Sequence, residues 1–119
     1  GKDSTYQVIK ALEYGLNPLC VNGTTCDPSE LGYRNLQNIR ELGVDLLQVS
    51  FNPKIRRLVN KVALKLVGDI SWPEHLSIFT IPVRIAVQLN IPLLIWGENS
   101  QNEYGGPWEK INSKCVIFK

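Results

Sequence analysis

Little in this sequence suits a disulfide-stapled or zinc-built protein. Its three cysteines, Cys20, Cys26 and Cys115, are an odd set without a C-x-x-C pair, a spacing that supports neither framework. Cys20 falls in an apolar run, where a free thiol packs as a small hydrophobe, and a reducing, cytoplasmic compartment is expected. No apolar run approaches the length of a bilayer span, and no basic-then-apolar signal segment stands in the sequence. Charge of one sign is not in excess. Lys and Arg number 13 against 11 Asp and Glu, a net +2 that does not announce nucleic-acid binding. Internal repeats and low-complexity tracts are absent. What is there, 44% hydrophobic and 20% charged over 119 residues, is the composition of at most one α/β domain.

The punctuation alternates helix with strand. Val8, Ile9, Ala11 and Leu12 predict a helix over Thr5–Tyr14, with Gly15 as its stop. Leu19-Cys20-Val21 predicts a short strand after Asn17-Pro18. Asp27-Pro28-Ser29-Glu30 gives a helix start of cap, proline and glutamate, and that helix carries Leu31, Leu36, Ile39 and Leu42 up to Gly43. Asp45–Phe51 reads as a second strand. Asn52-Pro53 repeats the cap-and-proline start, and Gly68 ends the helix.

That third helix has an apolar stripe of Ile55, Leu58, Val59, Val62, Ala63 and Leu66, with Arg56, Arg57, Lys61 and Lys65 predicted on a solvated face. A loop over Asp69–Glu74 then leads to an apolar helix over Leu76–Leu89, expected to be deeply packed, with Pro82 near its start or kinking it. The lone histidine, His75, lies at that helix start, which suits a structural or solvent-facing role better than general base chemistry. Leu93-Leu94-Ile95-Trp96 reads as a buried strand, followed at once by Gly97. Strands joined through helices call for a parallel sheet with right-handed crossovers. In such sheets ligands lie beyond the carboxyl ends of the strands. That rule gathers Gly1 to Ser4, Asn22 to Thr25, and Gly97 to Asn99.

Gly1-Lys2-Asp3-Ser4-Thr5 reads as the second half of a phosphate-gripping turn, S-G-G-x-D-S. Glycine lets the backbone approach a phosphate without a Cβ clash, and the amides that follow point at the anion from a helix N-terminus. Lys2 adds a point charge, Ser4 and Thr5 add hydroxyls, and Asp3 makes sense beside phosphate through a magnesium ion. A polar helix start capped by Asp3 or Ser4 is the competing reading.

These residues resemble the end of the PP-loop, and Trp96-Gly97-Glu98-Asn99 resembles the glycine-centred turn after the fourth strand of PP-loop ATP pyrophosphatases. Adding Glu103-Tyr104-Gly105-Gly106, with Thr25, Gly32, Asn35-Leu36 and Gly43-Val44-Asp45 between, the chain resembles the N-acetyl sugar amidotransferase family of bacterial lipopolysaccharide O-antigen and nonulosonate biosynthesis. The likeness covers residues 1–106, a partial PP-loop ATP pyrophosphatase domain; residues 107–119 form a C-terminal segment to which it assigns no role. It implies an adenine nucleotide α-hydrolase-like α/β fold, a parallel sheet with flanking helices. The first strand and first half of the PP-loop would precede Gly1, so the sequence reads as truncated there. That strand would lie between the strands at Leu19 and Leu93, and the chain alone is expected to be inactive.

The resemblance further implies ATP-driven conversion of a sugar acetamido group to an acetamidino group. The carbonyl oxygen attacks the α-phosphate, pyrophosphate leaves, and ammonia displaces AMP. Gly1, Lys2, Ser4 and Thr5 would hold the pyrophosphate, and Asp3 would help place Mg2+. Asn22, Gly23 and Thr24 would lie near the adenosine, with Gly97, Glu98 and Asn99 facing the nucleotide from the other side. Glu103 would contact sugar, metal or ammonia. Simpler roles stay open: Gly97 as a turn, Glu98 solvated, Asn99 at a helix start, Glu103 on an exposed loop.

The implied partners are a nucleotide-activated acetamido sugar and, since no glutaminase nucleophile turn occurs in the sequence, a glutaminase subunit supplying ammonia. Membrane and nucleic-acid partners are not expected. Two other readings compete. A tRNA-thiolating PP-loop enzyme would want paired cysteines and a basic RNA face, and a nucleotide-binding module of the same fold would bind ATP or AMP without catalysis.

Overall fold

A computed structural model describes residues 2–23 and 28–97. It is an α/β arrangement of helix α1 (Lys2–Glu13), strand β1 (Leu19–Gly23), α2 (Glu30–Glu41), β2 (Asp45–Val49), α3 (Pro53–Val67) and α4 (Trp72–Gln88). The two strands pair in parallel, from Leu19 opposite Asp45 to Gly23 opposite Val49. A parallel pair needs a crossover, and α2 supplies it. Among the described residues no helix is long and apolar enough to cross a membrane.

The ends of α3 follow directly from its sequence. Asn52 accepts from the backbone N–H groups of Lys54 (3.0 Å) and Ile55 (3.4 Å), Pro53 opens the helix where no N–H is needed, and Gly68 closes it in the left-handed region at φ 79°. The start of α2 differs from the expectation. Its cap is Ser29, which accepts from Gly32 N–H at 3.2 Å, leaving Pro28 outside the helix and Glu30 as its first residue. Helix α1 begins at Lys2 rather than Thr5, so Lys2 to Thr5 form its first turn. Helix α4 begins at Trp72, inside the stretch predicted as loop, because Pro73 suits a first turn as well as it suits a loop.

The larger corrections concern which faces are covered. The apolar stripe of α3 does not pack inward: Ile55, Leu58, Val59, Val62 and Leu66 are exposed. Arg56 and Asn60 meet α4, and the buried Ala63 lies on the same face at helical spacing. Arg56 donates to Ser77 (3.0 Å) and Asn60 to Glu74 (2.8 Å), and Ala63 is buried. Arg56 is therefore no member of a solvated basic face; it is only 7% exposed. Helix α4 is not covered all round either. Pro73, Ser77 and Ala86 are buried while Leu76 and Val87 are exposed. The Leu93–Trp96 run does not join the sheet as a strand. It makes an isolated bridge at Leu93, and Leu93 and Ile95 are exposed.

Candidate functional site

Two segments far apart in sequence meet at the start of α1. A Cβ built on Gly97 would stand 2.5 Å from Ser4 Oγ, 3.0 Å from its Cβ and 3.2 Å from its Cα. Close approach favours glycine there, since an added Cβ would displace the Ser4 hydroxyl and press tightly on the Ser4 Cβ and Cα. One turn along α1, Gln7 Nε2 donates to the backbone carbonyl of Trp96 at 2.9 Å. The first turn itself carries amide N–H groups that no preceding helical carbonyl can satisfy. Lys2 and Asp3 are exposed on it, and Ser4 and Thr5 are half-buried.

A defect in α4 holds the other side of the 93–97 segment. Pro82 lies inside the helix and has no N–H, so the carbonyl of Ile78, four residues earlier, loses its helical donor. Trp96 Nε1 donates to that carbonyl in a long hydrogen bond of 3.4 Å. The Phe79 and Trp96 rings stand 6.0 Å apart at 54°, a tilted aromatic pair. The same stretch of α4 lies over the carboxyl end of β1. A Cβ on Gly23 would meet Ile81 Cδ1 at 3.3 Å and the Ser77 carbonyl oxygen at 3.7 Å. Within about one turn of α4, then, Ser77 and Ile81 meet Gly23 while Ile78 and Phe79 meet Trp96.

Of the residues expected at a nucleotide site, Ser4 and Gly97 are in direct apposition, and Lys2, Asp3 and Thr5 share Ser4's helical turn. Asn22 and Gly23, expected just past a strand, are the last two residues of β1 and half-buried. Gly1, Thr24, Glu98, Asn99 and Glu103 lie outside the described residues, as do Cys26, Asp27 and Cys115. Cys20 is free and half-buried in β1, and burial pushes its thiol pKa up. His75 Nδ1 stands 3.8 Å from an Asp69 carboxylate oxygen at the start of α4. A solvent-open depression lined by Arg40, Gly43, Val44, Asp45, Leu46 and Gln48 lies along β2. Among the described residues no group of three or more His, Cys, Asp or Glu could hold a metal ion.

A buried Arg56 bonded to Ser77 was not expected from the sequence. Ser77 accepts from Arg56 Nη2 at 3.0 Å and donates to the Pro73 carbonyl at 2.8 Å, and the Phe51 ring lies 4.2 Å from the guanidinium carbon. One signal was available: Ser77 is a polar residue within an otherwise apolar helix.

No protein-family profile matches the chain, and neither a curated protein nor a solved structure matches it.

Proposed function

We propose that the chain is the nucleotide-binding part of an ATP-dependent amidotransferase of the PP-loop class. It would convert the acetamido group of a nucleotide-activated sugar to an acetamidino group in bacterial surface-glycan synthesis. The observation that carries this reading is the apposition of Gly97 to Ser4, because it joins the two motif segments on which the family resemblance rests. The parallel β1–β2 pair with its helical crossover supports an α/β nucleotide fold, and the PP-loop arrangement is the specific form proposed.

An amide is a poor electrophile, so the reaction begins by giving it a leaving group. The acetamido oxygen attacks the α-phosphorus of ATP, and the bond to pyrophosphate breaks. Ammonia then adds to the activated carbon, AMP departs, and loss of a proton leaves the amidine. Lys2, Ser4, Thr5 and the first-turn amides of α1 hold the pyrophosphate as its charge develops, with Gly1 leading into that turn. Magnesium is bound by one or two carboxylates alongside phosphate oxygens and water. Asp3, an exposed carboxylate on the same turn, fits such a site, and the ion would screen phosphate charge there. Asn22, Gly23 and Thr24 border the adenosine, Gly97, Glu98 and Asn99 close the other side, and Glu103 serves sugar, metal or ammonia.

Ammonia is mostly protonated at neutral pH, so a separate glutaminase subunit is the proposed source. The test supplies ATP, magnesium, ammonium and a nucleotide-activated acetamido sugar. The chain is assayed by itself and extended ahead of Gly1 by a strand ending in Ser-Gly. Sugar-dependent release of AMP and pyrophosphate by the extended form is expected, and none by the chain alone. Release that depends instead on tRNA and a sulfur donor, or nucleotide binding without any release in both forms, overturns the reading.

A further inference from the structure

One face of α3 is left uncovered by the described residues. At about 100° per residue, Ile55, Leu58, Val59, Val62 and Leu66 fall within an arc of about 100°, beside the face that bonds to α4. All five are exposed, from 44% at Val59 to 79% at Leu66. Ile55, Val59, Val62 and Leu66 follow one another at spacings of four, three and four residues, the pattern of a coiled-coil seam. Single exposed aliphatic residues are ordinary on a protein surface. A continuous row of them along a helix marks an interaction site.

The charge beside that row is of one sign. Lys54, Lys61 and Lys65 are exposed and fall within about 40° of one another, on the border of the seam away from α4. The other border ends at Ala63 and Arg56, which are buried. Helix α3 contains no Asp or Glu, and among the described residues none of the three lysines makes an ion pair. Lysines at such a border lay their methylene stems along the apolar row and keep their charge in water. The α3 of a second copy would bring only positive charge to this border, so charge disfavours self-pairing. An anionic lipid surface answers the charge, but helices that lie in membranes carry Trp, Phe and Leu on the apolar face. This seam is narrow, without an aromatic residue, and spaced for the side chains of another helix.

We propose that this face of α3 is the docking site for an amphipathic helix of another protein, one whose apolar seam is bordered by Asp or Glu. Its apolar side chains sit between Ile55, Val59, Val62 and Leu66, as where one helix recognises another. Its carboxylates meet Lys54, Lys61 and Lys65. At about 1.5 Å per residue α3 offers roughly 22 Å of contact, enough for a helix of about four turns. Charge at the border selects the partner, while the seam supplies the buried surface. The site does not depend on the amidotransferase reading.

The test titrates the full chain with two synthetic helical peptides that share one heptad seam of Leu and Ile. One carries Glu at the bordering positions and the other carries Lys, and the backbone amide resonances of α3 are followed by NMR. The Glu peptide should bind saturably and shift α3, and the Lys peptide should bind about tenfold more weakly. Added salt should narrow that difference. Lys54→Glu, Lys61→Glu and Lys65→Glu together, all at exposed positions, should reverse the preference, which a misfolded variant would not do. Val62→Asp should abolish binding of both peptides. No saturable α3 shift with the Glu peptide, equal affinity for the two peptides, or an unreversed preference in the triple variant overturns the proposal. So do α3 shifts with phosphatidylserine vesicles but not with the Glu peptide, which mark a membrane face. A dimer of the wild-type chain that Val62→Asp breaks also overturns it, with a second copy as the occupant.

Discussion

Gly97 lies against Ser4 so closely that a Cβ on Gly97 would stand within 3.2 Å of the Ser4 Cα. The Ser4 hydroxyl could rotate away from an added methyl group. Its Cβ and Cα are fixed by α1 and could not.

Gly97→Ala should therefore destabilise the fold by about 1–3 kcal/mol, the usual cost of overpacking. Pairing it with Ser4→Gly removes the two nearer clashing atoms and should recover part of that loss. Urea denaturation of the two single variants and the double variant checks the coupling. Purely additive effects would mean that the two residues do not touch.

Lys2→Ala and Ser4→Ala address the pyrophosphate role. Neither truncation removes a buried apolar group, and Ser4→Ala keeps the Cβ that faces Gly97, so the melting temperature should change little. In the form of the chain that turns over ATP, each should lower pyrophosphate release on the order of a hundredfold, as for loss of one donor to developing charge. Full activity in both variants removes the phosphate from this turn.

At the start of α3, Asn52→Ala should cost about 1 kcal/mol by leaving the Lys54 and Ile55 N–H groups without their acceptor. Asn52→Asp should retain most of that stability, since a carboxylate accepts the same bonds. Thermal or chemical melts of the pair separate capping from a general effect of mutation.

This cap shows where sequence reading works. Asn52, Pro53 and Gly68 act through their own backbone neighbours, and such interactions are legible residue by residue. The start of α2 was less so, because Asp27 and Ser29 are both good caps two positions apart and only geometry selects Ser29. The face of α3 was not legible at all. Periodicity finds an apolar stripe, but which face meets α4 depends on partners elsewhere in the chain, and here Arg56 and Asn60 make the contact. Leu93–Trp96 was misread for a related reason: its composition suits a strand, while pairing is a property of its neighbour. The Ser4–Gly97 meeting was anticipated through the rule that loops gather at the carboxyl ends of strands and through the PP-loop resemblance.

Cys20 gives a pH dependence with a defined sign. Burial raises its folded-state pKa, so the neutral thiol is favoured by the fold. Its contribution to stability is fully present below the unfolded-state pKa and is lost as pH rises through the folded value, on the alkaline side. Cys20→Ser should flatten that alkaline decline. Alkylation of Cys20 in the native chain should also be slow at neutral pH, since the thiolate is the nucleophile. Rapid native-state labelling, followed by peptide mass spectrometry, would contradict its burial.

Pro82 has a consequence for cooperativity. A helix interrupted by proline is a poor folder in isolation, because a turn is left without one of its own links. In this chain the missing link is replaced from outside, by the indole of a residue that is itself tethered to α1 through the Trp96 carbonyl and Gln7. The second half of α4 and the segment ending at Gly97 thus complete one another, and neither has its full set of bonds alone. They should open and close as one foldon, with α1 coupled to it and the amino half of α3 joined to α4 through Arg56 and Asn60, whereas α2 is free to fray independently.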